Sequence, residues 1–415
     1  MHTLAQLKNS ELKGITRLKL TEDLKEFPRE IFDLADTLEI LDLSNNQLSR
    51  LPSDLHRLTK LKILFASNNL FTQLPSGIAE CKQLEMIGFK SNKISAIGEN
   101  VLPLTTRWLI LTDNKIPQLP VSIGNLKYLQ KLMLAGNELT ALPDSISRCK
   151  NLELIRLSAN QIKPFPGVLF SLPKLAWLAF SGNPCSGQRG LHSHFQTVAR
   201  EDLNLTEVLG EGASGVISKA HWLCNAHNLP EAIAIKVFKG EVTSDGYPAD
   251  ELDACLAAGN HDNLVQPLAK ITQTHCSALI MKLIPNDYYN LGQPPSLESC
   301  TRDTFTQGQA FNIEQVTQII EQMHDVVKHL NHKKVSHGDL YAHNVLINAD
   351  TQILLGDFGA ASTYGHLSPQ QQQGVQRIEQ RALQYFCEDM LSLCEPEGKT
   401  SSAYKTLAAR IIHTE

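Results

Sequence analysis

Asp339, Asn344 and Asp357 are the three residues whose types and spacing most clearly indicate chemistry. Asn344 is the fifth residue after Asp339, and Asp357 follows beyond it in the motif Asp357-Phe358-Gly359. One carboxylate at this spacing can accept a hydroxyl proton, while an amide and a second carboxylate hold Mg²⁺ over nucleotide phosphates. The spacing therefore predicts transfer of a phosphoryl group from ATP, with Asp339 as the base and Asn344 and Asp357 as Mg²⁺ ligands.

A glycine-rich segment upstream could cover the phosphates. The residues from Leu209 to Val216 contain the glycine pattern G-x-G-x-x-G followed directly by Val216, and its glycines are Gly210, Gly212 and Gly215. Because glycine has no β-carbon, a backbone of this kind can approach phosphate groups closely. The segment precedes the acidic motifs, which is the order that a nucleotide site of this type requires.

A single lysine within an apolar segment is the next candidate. Lys236 interrupts the strand-like run Ala234-Ile235-Lys236-Val237, which follows the glycine-rich segment in the chain. A buried ammonium needs a charged partner, and nucleotide phosphates together with one helix carboxylate would provide it. Glu251 is the preferred carboxylate because it begins the helical run Leu252 to Ala258, and Asp250 is the fallback.

Together these motifs resemble the protein-kinase family from about Asp202 to the C-terminus. The resemblance implies an α+β bilobal fold that uses ATP and Mg²⁺. It also places Met281, in Leu279-Ile280-Met281-Lys282-Leu283, at the gatekeeper position of the adenine pocket. The implied catalytic residues are Asp339, Lys236 and Asn344; the implied ATP-binding residues are Gly210, Gly212, Gly215, Val216, Ala234, Lys236, Glu251 and Met281; and the implied metal ligands are Asn344 and Asp357.

The sequence departs from the protein-kinase pattern at several positions. Gly338 stands where regulated members have an Arg that pairs with a phosphorylated activation loop, so we expect no activation by loop phosphorylation. Tyr341 and Ala342 replace a Lys that often follows the catalytic Asp, which removes one cation near the transferred phosphate. The sequence after Gly359 is short and has no A-P-E motif, and residues 375–394 already have the apolar steps of a helix. These features predict a shortened C-lobe.

The first half of the chain repeats a leucine pattern. The pattern L-x-x-L-x-L-x-x-N-x-L recurs at nearly constant steps and places asparagines at 46, 69, 92, 114, 137, 160 and 183. Both the period and the internal pattern are typical of leucine-rich repeats. We expect the leucines to fill a continuous solenoid core and the asparagines to bond backbone groups in a ladder.

The strand positions between the leucines form a candidate partner surface. In a leucine-rich repeat solenoid these positions face the concave side, and here they combine apolar with charged side chains, as protein-binding surfaces do. Alternatively, the same side chains pack against the kinase-like region of the chain. The apolar candidates are Phe65, Met86, Trp108, Met133 and Trp177.

Composition narrows the compartment and the partners. The net charge of -5 and the pI near 6.3, with Lys and Arg scattered along the chain, predict no nucleic-acid partner and no membrane partner. Nine cysteines without C-x-x-C spacing predict a reduced compartment. Because the sequence has neither an apolar signal segment nor an apolar run long enough to span a bilayer, we expect a cytoplasmic location.

The fold prediction is two domains. Residues 1-184 form an α/β leucine-rich repeat solenoid, residues 185-201 a linker rich in small and polar residues, and residues 202-415 an α+β bilobal protein-kinase-like fold with a shortened C-lobe.

The predicted function is that of an ATP-dependent protein kinase, acting on Ser or Thr, whose repeat domain binds the substrate or a partner. The layout resembles that of compact leucine-rich repeat kinases found in bacteria. One alternative is a small-molecule phosphotransferase of the aminoglycoside or choline kinase type, which has a similar His337-Gly338-Asp339 loop. The other alternative is a scaffold in which the repeats act and the second domain is a pseudokinase.

Overall fold

The computed structural model describes residues 2–187, 195–212, 214–240, 242–273 and 275–412. The chain divides into two compact units. The first holds Met1–Leu175 and Asn183–Cys185, and the second holds Ala176–Gly182 and Ser186–Glu415. Residues 176–182, which the repeat pattern assigns to the solenoid, thus belong to the second unit. Residues 188–194 of the predicted linker lie outside the described residues.

The first unit is built on short parallel strands. Each strand is three residues long and pairs with the next in parallel, so that its central leucine or isoleucine falls beside the central residue of its neighbour. These central side chains have almost no solvent exposure and form the continuous core. The strands are β1 (Arg17–Lys19), β2 (Ile40–Asp42), β3 (Ile63–Phe65), β4 (Met86–Gly88), β5 (Trp108–Ile110), β6 (Lys131–Met133) and β7 (Leu154–Arg156).

Short helical segments accompany the strands of the first unit. Helix α1 (Leu4–Lys8) begins at Thr3, whose hydroxyl accepts a hydrogen bond from the amide of Gln6 in a capping box. Proline immediately precedes several 3₁₀ segments, where its fixed φ favours the turn and no strand hydrogen bond is lost. The 3₁₀ segments are Arg29–Leu34, Leu55–Arg57, Ser76–Ile78, Val121–Asn125, Asp144–Arg148 and Gly167–Ser171.

The predicted asparagine ladder is confirmed. The Asn137 Nδ2 group donates to the carbonyl of Leu111 in the preceding repeat at 2.9 Å and to the carbonyl of Leu134 at 3.0 Å, while its Oδ1 accepts from the amide of Ile116 at 3.1 Å. Other repeat asparagines bond the equivalent backbone groups, Asn69 and Asn114 among them. Each asparagine thus satisfies buried backbone groups of two successive repeats.

The second unit opens with a mixed sheet. In chain order, the first strands of the second unit are β8 (Trp177–Ala179), which is not part of this sheet, and then β9 (Gln196–Thr197), β10 (Leu203–Glu211), β11 (Gly215–Trp222), β12 (Ile233–Phe238), β13 (Pro267–Gln273) and β14 (Cys276–Lys282). The sheet has the order β10-β11-β12-β14-β13-β9 and is antiparallel except for β9, which pairs in parallel with β13. Ile233, Ile235, Ala269 and Ile280 lie at its centre with no measurable exposure.

The second unit also contains helices, which lie between and after these strands in the chain. They are α2 (Pro248–Ala258), α3 (Ile313–Lys333), α4 (Pro369–Ser392), α5 (Pro396–Lys399) and α6 (Ser402–Ile412). Asn312 caps α3 and Ser368 caps α4, each in a capping box completed by a glutamine. Apolar residues recur along both helices at three- and four-residue steps, which buries one face of each.

Small strand pairs position the acidic motifs between these helices. The strands are β15 (Tyr289–Asn290), β16 (Val335–Ser336), β17 (Val345–Ile347), β18 (Ile353–Leu355) and β19 (Ser362–Thr363). Strands β15, β17 and β18 form an antiparallel sheet, and β16 pairs with β19. The 3₁₀ turn Ala342–Asn344 leads directly into β17.

Across the described ranges, no helix is both long and apolar enough to cross a membrane.

Candidate active site

The predicted glycine-rich loop joins strands β10 and β11. The amide of Gly212 donates to the carbonyl of Gly215 at 2.9 Å, which closes the loop; Ala213 lies outside the described residues. Among the described residues other than its chain neighbours, a β-carbon on Gly210 or Gly212 would meet no atom within 4 Å, whereas one on Gly215 would lie 2.4 Å from the carbonyl oxygen of Val237. Gly215 is therefore required by the packing of the sheet. Gly210 and Gly212 keep the loop backbone open towards a ligand.

Lys236 and Glu251 form the expected ion pair. The Nζ of Lys236, on β12, bonds Oε1 of Glu251, on α2, and their side chains are 12% and 3% exposed. Burial alone would lower the pKa of Lys236, but the carboxylates of Glu251 and Asp357 outweigh it and raise that pKa above its usual value. Lys236 is consequently a fixed cation, and the structure selects Glu251, not the fallback Asp250, as its partner.

Asp339 and Asn344 lie together in the loop of residues 336–344, which we call the catalytic loop after the role that the sequence predicts for Asp339. The Asn344 Nδ2 group donates to the backbone carbonyl of Asp339 at 2.8 Å and to its Oδ2 at 3.1 Å. The backbone carbonyl of Asn344 accepts from the amide of Gly356 at 3.0 Å, which ties this loop to the residue before Asp357. The two polar motifs found in the sequence are therefore adjacent in the fold.

Asp357 has a backbone conformation that is uncommon for a residue other than glycine. Its φ of 53° lies in the left-handed region, and its Oδ1 accepts from the amide of Gly359 at 3.2 Å. Phe358 is 3% exposed, and its ring lies 5.0 Å from that of His337. The carboxylate of Asp357 also acts electrostatically on Lys236, which places these charged groups around one space.

One cleft of about 920 Å³ contains most of the predicted site. Met281, 9% exposed, faces it beside Ala234, with which it is paired across β12 and β14. Val216 does not line the cleft; it pairs with Val237 in the sheet. Asp339 is attached to the cleft through Asn344. The predicted residues that line the cleft are Gly210, Gly212, Gly215, Ala234, Lys236, Glu251, Met281, Asn344 and Asp357.

Models of two kinds of known protein family match the chain. The family described as protein tyrosine and serine/threonine kinase matches residues 203–387, and leucine-rich repeat families match residues 37–58, 105–162 and 127–184.

The chain joins leucine-rich repeats to a protein-kinase domain.

Individual relatives match only part of the chain. Fibroblast growth factor receptor 1 of Xenopus laevis is 26% identical over 179 residues, which are 41% of this chain and 22% of the receptor. Cyclin-dependent kinase 11.2 of Caenorhabditis elegans is 25% identical over 167 residues, 39% of this chain and 23% of that kinase. A leucine-rich repeat protein of Leptospira interrogans shares 30% identity over 40% of this chain and 49% of its own, with a TM-score of 0.34. The chain thus spans less than a quarter of the length of the fibroblast growth factor receptor and of the cyclin-dependent kinase.

Glu379, a buried carboxylate on α4, was missed by the sequence reasoning. It is 2% exposed; it accepts from the hydroxyl of Ser336 and, at 2.9 Å, from the amide of His337. Glu379 therefore holds the first residues of the catalytic loop, Ser336 and His337, by hydrogen bonds. Its position among apolar residues of α4 was the available signal, because a charge on such a face needs a partner.

Asp303 is a second missed residue. Its carboxylate is fully buried and accepts from Nδ1 of His343 at 2.7 Å and from the His343 amide at 3.2 Å. Burial would lower the pKa of His343, but the bond to Asp303 and the carboxylates of Asp339 and Asp357 raise it. His343 lines the cleft and precedes Asn344, whereas Asp303 is remote in sequence and left no signal.

Gly338 has a structural reason for being glycine. Its φ is 70°, and a β-carbon there would lie 2.6 Å from the carbonyl oxygen of Ala360 and 2.7 Å from that of Leu178. Backbone atoms on two sides therefore occupy the space that an arginine side chain would need to leave the loop. The packing of the domain therefore requires glycine at position 338, where the kinase pattern has arginine.

The prediction that Trp177 contributes to a partner surface is wrong. Trp177 is 1% exposed, and its ring stacks on that of Tyr341, in the catalytic loop, with centroids 4.5 Å apart. The alternative, packing against the kinase-like region, holds for this residue. Met86 and Met133, at 4% and 7% exposure, are also too buried to contribute much surface.

Phe65 and Trp108 remain half-buried on the strands of the first unit. The Nζ of Lys131 lies 4.2 Å from the centre of the Trp108 ring, in a cation–π contact. The Trp108 Nε1–H group has no hydrogen-bond acceptor within the part of the chain that the structure describes.

Proposed function

We propose that this protein is an ATP- and Mg²⁺-dependent protein kinase that phosphorylates Ser or Thr hydroxyls and recognises its substrate or a partner through the repeats. The observation that carries the proposal is the convergence of Lys236, Asn344 and Asp357 in one cleft beneath the glycine-rich loop, with Asp339 bonded to Asn344. Lys236 comes from a strand, and Asn344 and Asp357 come from two turns much later in the chain. Their convergence is the arrangement that phosphoryl transfer from ATP requires.

The donor atoms fit Mg²⁺. Asp357 and Asn344 offer a carboxylate and an amide oxygen, the hard ligands that Mg²⁺ takes, and the described residues include no group of three or more His, Cys, Asp or Glu able to hold a metal. Mg²⁺ is commonly held by one or two protein oxygens together with substrate phosphates, which matches this site. Bound there, the ion would supply charge stabilisation for the phosphoryl group as it transfers.

Other residues of the site would bind the phosphates and the adenine and accept the proton. Lys236, fixed by Glu251, would bind the phosphates, and the open backbone of the glycine-rich loop would cover them. Met281 and Ala234 would form one wall of the adenine site. Asp339, oriented by the amide of Asn344, would accept the proton of the attacking hydroxyl.

Purified protein, labelled ATP and Mg²⁺ test the proposal directly. Wild type should transfer label to a protein acceptor, with the phosphate on Ser or Thr after acid hydrolysis, and Asp339→Asn should lower the rate by about 10²- to 10⁴-fold. Asp325→Asn is the matched control, because Asp325 lies on α3 with a side chain 67% exposed. Label on tyrosine would refute the Ser/Thr assignment, label on a small alcohol or amino sugar would favour the small-molecule alternative, and no transfer would favour the pseudokinase.

The half-buried residues Phe65 and Trp108 support a recognition role for the repeats. The ring of Trp108 offers apolar area beside the charge of Lys131. Trp108→Glu should lower kcat/KM for a protein acceptor by about thirtyfold, a loss typical of an aromatic anchor. Tyr128→Glu is the control, since Tyr128 is 62% exposed outside the strands. Equal effects of the two variants would exclude this face.

A further inference from the structure

Aromatic rings form a continuous column that ends at the active site. The ring of Trp177 stacks on Tyr341 at 4.5 Å with an interplanar angle of 10°, and on its other neighbour, Tyr385 of α4, at 5.4 Å and 27°. Tyr341 in turn lies 5.0 Å from the ring of His343. At the far end, the Arg302 guanidinium lies 4.6 Å from the centre of the Tyr385 ring. Four rings and one cation are thus in serial contact.

Both ends of the column are fixed by carboxylates. Arg302 pairs with Glu388 and Asp389 of α4, and His343 bonds the buried carboxylate of Asp303. Arg302 and Asp303 are neighbours in the chain, so one short segment anchors the column at both ends. Both ends of the column are consequently tied by ion pairs or hydrogen bonds to neighbouring residues of the same unit.

Strand β8 also makes polar contacts with the catalytic loop. The Nε1–H of Trp177 donates to the carbonyl of Leu340, the residue after Asp339, at 3.2 Å. The amide of Phe180, just after β8, donates to the hydroxyl of Ser362 at 3.0 Å, on the segment that follows Gly359. The carbonyl of Leu178 fills the space beside the glycine that precedes Asp339. Residues on both sides of Asp339 are therefore in contact with this strand.

From this geometry we propose that Trp177 is a positioning residue for phosphoryl transfer: its stack on Tyr341 and its bond to Leu340 hold the catalytic loop so that Asp339 and Asn344 meet the reacting groups. The inference rests on the proposed kinase function for its kinetic part. Its structural part, the immobilisation of the loop by strand β8, stands independently of that function.

The physical reason is the small tolerance of the reaction to displacement. The backbone amide of Asn344 donates to the carbonyl of Tyr341 at 3.1 Å, and the side-chain amide of Asn344 donates to Oδ2 of Asp339. A movement of Tyr341 would therefore displace Asn344 and, with it, Asp339. Displacement of a catalytic group by about 1 Å can cost about 10²-fold in rate. Tyr341 occupies the position where the kinase pattern often has a Lys. The ring thus replaces a charge that would bind phosphate with a contact that holds the loop.

Two variants of Trp177 separate its contributions. Trp177→Leu removes both the stack and the bond to Leu340, and we expect kcat to fall about ten- to a hundredfold with the KM for ATP changed less than about threefold. Trp177→Phe keeps a ring for the stack and should recover most of kcat, a rescue that space filling by leucine cannot give. Trp222→Phe is the matched control, because its Nε1 likewise donates to a backbone carbonyl, that of Pro230, at 2.9 Å, outside the cleft.

Hydrogen exchange supplies a readout that needs no activity. The amides of residues 339–345 should exchange at least about tenfold faster in Trp177→Leu than in wild type, while those of β11 and β12 stay unchanged. If Trp177→Leu does not fold, Tyr341→Leu removes the same stack from the other side and should give the same local increase. Unchanged exchange in a folded variant would overturn the inference. An inactive wild type whose exchange changes as described would refute the kinase proposal alone.

Discussion

Buried polar side chains play contrasting roles in the two units. In the repeat unit, Asn69, Asn114 and Asn137 each bond the same kinds of backbone group, one repeat after another. In the kinase unit, Glu251 and Glu379 are equally buried, yet one pairs with a lysine and the other with loop groups. In the first unit the same hydrogen-bonding pattern recurs from repeat to repeat, whereas in the second unit each buried polar side chain has a different set of partners.

This difference has an energetic consequence. The ladder distributes its stabilisation over many equivalent bonds, so loss of one member should damage stability while leaving any ligand site intact. The kinase unit concentrates distinct tasks in single residues, so loss of one should remove a function with a smaller change in fold. Four predictions test this contrast, from the complete loss of a ligand response down to a change of less than about twofold.

Removing Asp357 should abolish the metal dependence of nucleotide binding. In wild type we expect ATP with Mg²⁺ to raise stability by about 2.7 kcal/mol at a ligand concentration 100 times Kd, and ATP without the metal to do far less. In Asp357→Ala the two conditions should give the same melting temperature, because the carboxylate ligand is gone. Thermal unfolding with and without Mg²⁺ measures this. Asp262→Ala, an exposed position, is the control, and a metal-dependent shift that survives in Asp357→Ala would remove Asp357 from the site.

Removing a ladder asparagine should cost stability alone. Asn137→Leu leaves the carbonyls of Leu111 and Leu134 and the amide of Ile116 without their bonds, which we expect to destabilise the repeat unit by about 4 kcal/mol. Urea unfolding measures the change. Asn151→Leu should cost less than about 1 kcal/mol, because the bond of Asn151 to the carbonyl of Lys127 is exposed. Equal losses would mean that the buried bonds of the ladder stabilise the unit no more than an exposed bond does.

The period of the repeats explains why the ladder could be predicted from the sequence. Each asparagine bonds groups that lie one repeat away, so the same local pattern carries the information in every copy. The pairing of Lys236 with Glu251 was also predictable, because a strand lysine and a helix carboxylate follow each other closely in the chain.

The contacts that position the catalytic loop could not be predicted. Glu379 lies 42 residues from His337, and Trp177 lies 163 residues from Leu340. Only tertiary packing brings such residues together, and each occurs once, so no periodicity reveals it. The prediction for Trp177 fails for the same reason: its repeat position indicates a concave face, and the fold of the second unit buries it instead.

Two Arg–Asp pairs extend the contrast to pH. Arg29 holds the pKa of Asp54 in the repeat unit well below its usual value, whereas burial raises the pKa of Asp389 in the kinase unit to about 6, against the opposing effect of Arg302. A carboxyl whose folded pKa is raised binds its proton more tightly in the folded state. Asp389 therefore stabilises the fold below about pH 4 and loses that contribution as the pH rises from about 4 to about 6.

The measurement compares wild type with Asp389→Asn, which cannot titrate. The stability of wild type relative to the variant should fall by up to about 3 kcal/mol between about pH 3.5 and about pH 7, the equivalent of about two pKa units. Chemical unfolding at several pH values gives this difference. A difference that grows with pH would show that Arg302 dominates over burial and that the two pairs behave alike, and a flat difference would show that the two effects cancel.

The smallest expected effect concerns regulation by phosphate. Kinase regulation by loop phosphorylation needs a cation at the catalytic loop to read the modified residue, and position 338 here is a glycine with a φ of 70°, enclosed by the carbonyls of Leu178 and Ala360. The loop is instead held by contacts that are present in the unmodified chain, those of Glu379 and Trp177. Treatment with a phosphatase should therefore change the rate of phosphate transfer by less than about twofold, measured with a protein acceptor before and after treatment. Mass spectrometry must confirm that phosphate was present and was removed. A tenfold loss of activity would show that a cation elsewhere binds a phosphorylated residue. The kinase unit would then depend on a modification, and the contacts of Glu379 and Trp177 would not be enough to hold the loop.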